Sequence, residues 1–368
     1  MKRWILGGLL LALTACTGTS EPQVAFTVVV QDQVPAVQGK PAHVEFKTYR
    51  VLDDVAPLTP PLEAAGVATG LQSSQIGAYL LAGFQDRIEV YVGDGEAASG
   101  IKLSRTLSTG ASGVFQMENC TDPIVLQKPQ LSPDERFMVV LGQCGTTLST
   151  RQRLWTVRLS ASDPASWTVT PILSNPLLPI RFFSAGADRV YFAGQVPGND
   201  YRLFAVSYFA PFELDDSGTR TLVSSLNDLE YWRGSLRFSD GSRIRTVRSV
   251  ALEPTDLTDL VTFPATEMFV KQGQLLAVSS GTGAVACLLD QTPKCTPETE
   301  PDVIAVSSVQ DVTFDLNGYA WIVPRLSAGN PTPQGALYRV DVVAQKKTVE
   351  TMAFGAFYDP KGVAWVVN

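Results

Sequence analysis

Short apolar bursts punctuate the chain, and a turn precedes each one. Gly77 opens Ala78-Tyr79-Leu80-Leu81-Ala82, and Pro133-Asp134-Glu135-Arg136 opens Phe137-Met138-Val139-Val140-Leu141. Asp188 opens Arg189-Val190-Tyr191-Phe192-Ala193, Gly234 opens Ser235-Leu236-Arg237-Phe238, and Gly273 opens Gln274-Leu275-Leu276-Ala277-Val278. Runs that are apolar at nearly every position and bounded by turn residues predict strands covered on both faces. A mixed polar and aromatic strand is expected after most of them, at 87–92, 153–159, 202–208, 242–250 and 337–342. A further strand is expected at 166–172 and at 347–352. No long segment repeats its apolar residues every 3.6 positions, so no helix is expected. The 24 prolines and 29 glycines suit a chain of many short turns.

The bursts are copies of one another. Phe314-Asp315-Leu316-Asn317-Gly318-Tyr319-Ala320-Trp321-Ile322-Val323 returns 44 residues later as Tyr358-Asp359-Pro360-Lys361-Gly362-Val363-Ala364-Trp365-Val366-Val367. Turn marks fall at 77, 136, 188, 234, 273, 318 and 362, with steps of 59, 52, 46, 39, 45 and 44. A period of 40 to 50 residues in an all-β pattern points to a β-propeller. Seven units predict seven blades, with six as the alternative count and two β-sandwiches as the competing fold. The chain ends at Asn368, just after what reads as the second strand of the last blade. Strands at 24–31 and 42–52 are therefore expected to complete that blade and close the ring, removing its exposed edges. The Asp-x-x-Gly-x-x-Trp echo, with Leu337-Tyr338-Arg339-Val340-Asp341 as a third-strand phrase, resembles the repeats of the gluconolactonase-like propeller superfamily. That resemblance implies the fold and assigns no functional residue.

The N-terminus carries an address. Lys2 and Arg3 precede an uncharged stretch over 4–13, and Leu13-Thr14-Ala15-Cys16 follows. A basic start, a short apolar run and small residues before a cut site make a secretory signal, and ten residues are too few for a spanning helix, which needs about 20. Leu-Thr-Ala-Cys resembles the lipobox of bacterial lipoproteins. The resemblance implies cleavage before Cys16, lipidation of its thiol and acylation of its amine, and more than one acyl chain anchors stably. Expected divisions are a signal peptide over 1–15, a lipidated cysteine and tether over 16–23, and one propeller domain over 24–368. Thr17 and Gly18 lack the aspartate that retains some lipoproteins at an inner membrane, so an outer-membrane or surface site is preferred.

Charge and rare residues narrow the chemistry. The chain has 29 basic and 36 acidic side chains, a net of −7, and loss of Lys2 and Arg3 makes it −9. An acidic body argues against nucleic acid as a partner. His43 is the only histidine. Any Ser-His-Asp triad would have to use it, and no multi-histidine metal site is possible. It reads as a polar residue on the strand at 42–52. Cys120, Cys144, Cys287 and Cys295 allow three disulfide pairings, of which proximity favours Cys120–Cys144 and Cys287–Cys295.

Three constellations stand out. Asp134, Asp315 and Asp359 share a turn position, where they cap their own turns or line a Ca²⁺ site. Arg233, Arg237, Arg243, Arg245 and Arg248 crowd the fourth unit. Arg237 falls where sister units carry an apolar residue, and Arg237, Arg243 and Arg245 are the candidates for an anion-binding wall, the alternative being structural pairing with Asp228, Glu230 or Asp240. Tyr208, Phe209, Pro211 and Phe212 form an aromatic loop. No Gly-rich phosphate loop or nucleophile elbow is present, Gly281-Thr282-Gly283 reads as a hairpin turn, and no catalytic residue, metal ligand or cofactor is assigned. The expected function is a membrane-anchored extracytoplasmic binding or scaffolding module with a protein or carbohydrate partner. The alternative is an extracytoplasmic hydrolase or lactonase with a carboxylate-bound metal in the central channel. Clustered inward carboxylates would favour the enzyme, and an apolar plug under an aromatic loop face would favour binding.

Overall fold

The computed structural model describes residues 25–368 apart from 37–38, 53, 161–163, 199, 216–221, 248–256, 280–284, 290–302, 307, 327–331, 345–346 and 353–356. The signal, Cys16, Arg248, Gly281-Thr282-Gly283 and Cys295 lie outside the described residues.

Three strands come first: β1 (Phe26–Val34), β2 (His43–Val51) and β3 (Val55–Ala64). Blade one is β4 (Ala68–Ser73), β5 (Leu80–Phe84), β6 (Arg87–Gly93) and β7 (Ile101–Ser108). Blade two is β8 (Ile124–Leu126), β9 (Gln130–Leu131), β10 (Phe137–Cys144), β11 (Gln152–Arg158) and β12 (Thr168–Ser174). Blade three is β13 (Ile180–Ala185), β14 (Arg189–Gln195), β15 (Asp200–Ser207), β16 (Leu214–Asp215) and β17 (Leu222–Ser224). Blade four is β18 (Asp228–Trp232), β19 (Ser235–Ser239), β20 (Ile244–Val247) and β21 (Leu257–Val261). Blade five is β22 (Glu267–Lys271), β23 (Gln274–Ser279), β24 (Val285–Leu289) and β25 (Val303–Ile304). Blade six is β26 (Asp311–Phe314), β27 (Tyr319–Val323), β28 (Leu337–Asp341) and β29 (Val349–Met352). The last strand, β30 (Pro360–Val367), joins the first three in the order β3-β2-β1-β30. Every pairing between these named strands is antiparallel, and one 3₁₀ turn at Pro164–Ser166 is the sole helical element among the described residues.

These seven sheets form a seven-bladed propeller, which settles the blade count. Seven clusters of buried apolar residues among the described residues each join two neighbouring sheets. Seven sheets with seven shared cores require a closed ring, since an open stack would have six. The doubly apolar bursts follow from this arrangement. On β1, Val28 and Val30 pack toward blade six while Val29 packs toward blade one. On β23, Leu275 and Ala277 face blade four while Leu276 faces blade six. Both faces of each inner sheet are dry, so alternation disappears from the sequence.

Closure occurs as expected, with two corrections. The chain does not end on a second strand: β30 sits at the inner edge of its sheet, and β1 takes the second place. The N-terminus supplies three strands, β3 included, where two were expected. The first six turn marks do lie between the first and second strands of their blades, whereas Gly362 lies inside β30. Gly362 is confined there, because a Cβ would come within 2.3 Å of the Leu71 amide nitrogen.

Cys120 and Cys144 are bridged, tying the entry of blade two to the end of its second strand. Closing a loop of 24 residues stabilises by roughly 3 kcal/mol in the chain-entropy picture. Cys287 is fully buried on β24.

Candidate functional site

The inner strands leave a cavity of about 440 Å³ at one mouth of the channel. Its open end is marked by Gln75, Pro133, Arg233 and Gly273, all on turns joining first to second strands. Those turns are tight. Arg233-Gly234 and Gln272-Gly273 have positive φ at both positions (48° and 77°, 45° and 75°), the two-residue turn whose twist matches the flanking strands. Glu135 has φ 53°, so three cavity-lining residues other than glycine hold a left-handed backbone. Such conformations cost about 1 kcal/mol or more each and persist where the surroundings enforce them.

Charge gathers further in. Lys271, at the end of β22, is 7% exposed. Its Nζ donates to the Leu71 carbonyl at 3.0 Å and lies 3.9 Å from Asp311 Oδ1. Lys128 reaches the same oxygen at 2.9 Å, and the other oxygen of Asp311 accepts from the Val363 amide at 3.1 Å. Asp311 is fully buried, with two lysine nitrogens and a backbone amide around its carboxyl group. Burial pushes Lys271 down to about 7, against the pull of Asp311. Across the cavity, β18 presents Glu230, whose Oε2 accepts from Ser184 Oγ at 2.9 Å. Burial, reinforced by Asp228, holds the Glu230 carboxyl well above the usual range. Asp228 is pushed up to about 7 by burial, although its oxygens accept from the Leu229 and Met268 amides. Half-buried Tyr231 and Phe269 line the wall, and Tyr231 stacks on Tyr191 at 5.5 Å. The site thus offers lysine donors, amide groups, a carboxyl that favours its protonated form, and aromatic surface.

Of the two arrangements set against each other from sequence, the mouth holds an open cavity with the Glu230 carboxyl in its wall where the other would place an apolar plug. Arg237, Arg243 and Arg245 do not line this cavity. Arg237 lies on β19, donates to Thr246 Oγ1 and stands 5.7 Å over the Trp232 ring. It makes no ion pair with Asp228, Glu230 or Asp240 among the described residues. Arg243 and Arg245 converge on Asp259 of the outermost strand, at 2.8 and 3.2 Å. Asp134 and Asp315 accept from backbone amides of their own turns, and Asp359 pairs with Lys361. In the aromatic loop, Tyr208 stacks on Phe137 of blade two at 4.6 Å, and Phe209 remains 52% exposed. Sequence reading missed Lys128, Lys271 and Asp311. The local trace was a charge at the inner end of a strand beside a turn, as in Lys271-Gln272-Gly273. Among the described residues, a grouping able to hold a metal lies elsewhere, at His43, Glu45 and Glu63.

No family model matches the chain, and no curated protein matches its sequence. Solved structures do. The periplasmic gluconolactonase PpgL of Pseudomonas aeruginosa superposes with a TM-score of 0.55 at 11% identity, covering 94% of this chain and 100% of that one. A functionally unknown protein from Desulfotomaculum acetoxidans DSM 771 gives 0.53 at 11% identity, covering 93% and 98%. At such identity the likeness carries the fold.

Proposed function

We propose that this propeller is a lipid-anchored binding module of the cell envelope whose channel mouth receives a small, oxygen-rich solute of the carbohydrate class. The carrying observation is the cavity. It has the volume of a small-ligand site, and Lys271, Glu230 and glutamine side chains converge in it beside aromatic surface. Hydroxyl groups suit this lining, since each can donate to one wall and accept from the other. The lactonase alternative needs carboxylate oxygens free for a metal. Asp311 is committed to lysines and an amide, and Asp228 to two amides, so the binding reading is favoured.

The test is thermal melting of the full chain against mono- and disaccharides and sugar acids. At least one is expected to raise the melting temperature in the parent and not in Lys271→Met or Glu230→Gln variants that still fold. A panel that leaves the parent unmoved, or protects the variants equally, overturns the reading. Turnover of a lactone by the parent would favour the alternative.

The anchor rests on Leu13 to Cys16, and no helix among the described residues is long and apolar enough to cross a membrane. Cys16→Ser is expected to abolish lipid attachment and release the protein from membranes. A Cys16→Ser chain that still partitions into detergent, processed at the same site, overturns lipidation.

A further inference from the structure

The outer strands of the closing sheet carry a second cluster, independent of the channel. His43 and Glu45 are two apart on β2 and so share a face. Glu63 on β3 stands directly opposite Glu45 in the strand register. Like charges placed opposite each other in a sheet repel. One imidazole nitrogen and one oxygen from each carboxylate all lie within 4.8 Å of one another.

The imidazole supplies the second observation. His43 is 7% exposed, and its Nδ1 lies 3.0 Å from the Pro41 carbonyl oxygen. A carbonyl only accepts, so Nδ1 donates to it and Nε2 is the ring nitrogen left to face the carboxylates. Nε2 is buried without a hydrogen-bond partner and faces Glu45 Oε1 at 3.4 Å. A buried ring nitrogen and a carboxylate oxygen facing each other at this distance call for a cation between them, a proton or a metal ion.

We propose that His43, Glu45 and Glu63 form a binding site for a divalent transition metal of the Zn²⁺ type. Imidazole nitrogen suits Zn²⁺ and its first-row neighbours over Ca²⁺ and Mg²⁺. A backbone carbonyl on the far ring nitrogen is the usual support of a ligating histidine, because it fixes the tautomer and the ring plane. Two lysines border the site. Lys40 Nζ lies 2.6 Å from Glu63 Oε1, but that side chain is 48% exposed and can swing into water at small cost. Lys47 is held by Asp32 at 2.7 Å and lies 5.4 Å from the Phe357 and Tyr358 rings, so it stays and balances the second oxygen of Glu45 at 3.6 Å. Metal binding therefore exchanges the Lys40 ammonium for the ion at Glu63 and clamps β3 to β2.

Because His43 is the only histidine, the full chain has a single set of imidazole nitrogen resonances. Titration with Zn²⁺ alone is expected to move the Nε2 signal to a metal-bound position while Nδ1 keeps its proton, and Ca²⁺ at the same concentration is expected to leave it in place. Glu45→Gln and Glu63→Gln should each weaken the titration at least about tenfold, the lower end of what loss of even a supporting partner costs. Lys40→Met should tighten it, since its ammonium competes with the ion. An Nε2 signal unmoved by millimolar Zn²⁺, an equal response to Ca²⁺, or glutamine variants that titrate like the parent would overturn the site.

Discussion

The closing sheet and blade four follow one four-stranded plan and arrange their charges in opposite ways. The closing sheet takes β30 from one end of the chain and β1 to β3 from the other. Its innermost strand is apolar past its first turn, with Val363, Ala364, Trp365 and Val366 fully buried, and apart from Lys361 near the start of that strand the charged groups Asp32, Glu45, Lys47 and Glu63 and the imidazole of His43 sit on strands further out. Blade four is continuous in sequence. It puts Asp228 and Glu230 on the innermost strand and arginines on the outer ones. Burial and ladder pairing, rather than chain continuity, hold a blade together. What the innermost strand carries then decides whether that blade contributes chemistry to the channel or only closes it.

The sharpest way to break this comparison is to remove the non-contiguous strands. Deleting residues 25–64 takes away β1, β2 and β3, leaves β30 without its ladder partner and uncovers the cores shared with blades one and six. Fully burying each Val or Phe side chain is worth about 1.5–3 kcal/mol, so the loss exceeds the net stability of an ordinary domain. Expression as aggregate, or a species with no cooperative melt, is the expected outcome. A monomer that melts like the parent would show that the ring does not need its closure.

The two regions also differ in how far the sequence reveals them. In blades one to six the apolar burst that follows a turn mark lies on the second strand, so counting turn-led bursts counts blades. The echo of 314–323 in 358–367 misleads for the same reason. Trp321 on a second strand and Trp365 on an innermost one both occupy doubly buried positions after a turn, and a hydrophobic pattern reports burial without reporting rank in the sheet. Cys120 and Cys144 were legible because the bridge is local in sequence. Lys128 and Asp311 were not, being 183 residues apart and joined only by ring closure. His43 read as an ordinary strand residue, since its distinguishing feature is a buried ring nitrogen without a hydrogen-bond partner, which only the ring orientation exposes.

Blades four and five make the channel pH-sensitive through Asp228 and Lys271. Asp228 has its folded-state pKa raised from 3.8 to about 7 by burial, so the fold prefers the protonated carboxyl. Its contribution is fully present below pH 3.8 and is lost as pH rises through about 7. Lys271, lowered from 10.5 to about 7, has the opposite sign: its burial penalty is full below about 7 and is relieved as pH climbs toward 10.5. Stability from these groups is therefore lowest near neutrality. Denaturant unfolding should show the parent losing roughly 2 kcal/mol more than Asp228→Asn between pH 5 and pH 7.5. Parallel pH profiles for the two proteins would mean that Asp228 titrates as an ordinary exposed carboxylate.

The smallest effect is expected at Arg237, on the second strand of blade four, where sister strands carry apolar residues. A buried guanidinium bound to a carboxylate would leave that carboxylate stranded on removal, costing about 3–5 kcal/mol. The surroundings of Arg237 differ. Glu230 is its neighbour across the ladder, yet Glu230 bonds to Ser184, and the arginine donates to the Thr246 hydroxyl while standing over Trp232. Its Nε is buried without a hydrogen-bond partner, and burial lowers its pKa with no carboxylate opposing the shift. Arg237→Leu removes one hydrogen bond and one cation–π contact, and also removes the cost of keeping a charge half out of water. The terms nearly cancel, so the expected change is within about 1 kcal/mol, and a gain in melting temperature is as consistent with the geometry as a small loss. If the site also receives an anion, phosphate or sulfate should raise the parent's melting temperature and leave that of Arg237→Leu unchanged. A loss above about 3 kcal/mol would reveal a carboxylate partner and return Arg237 to a structural role.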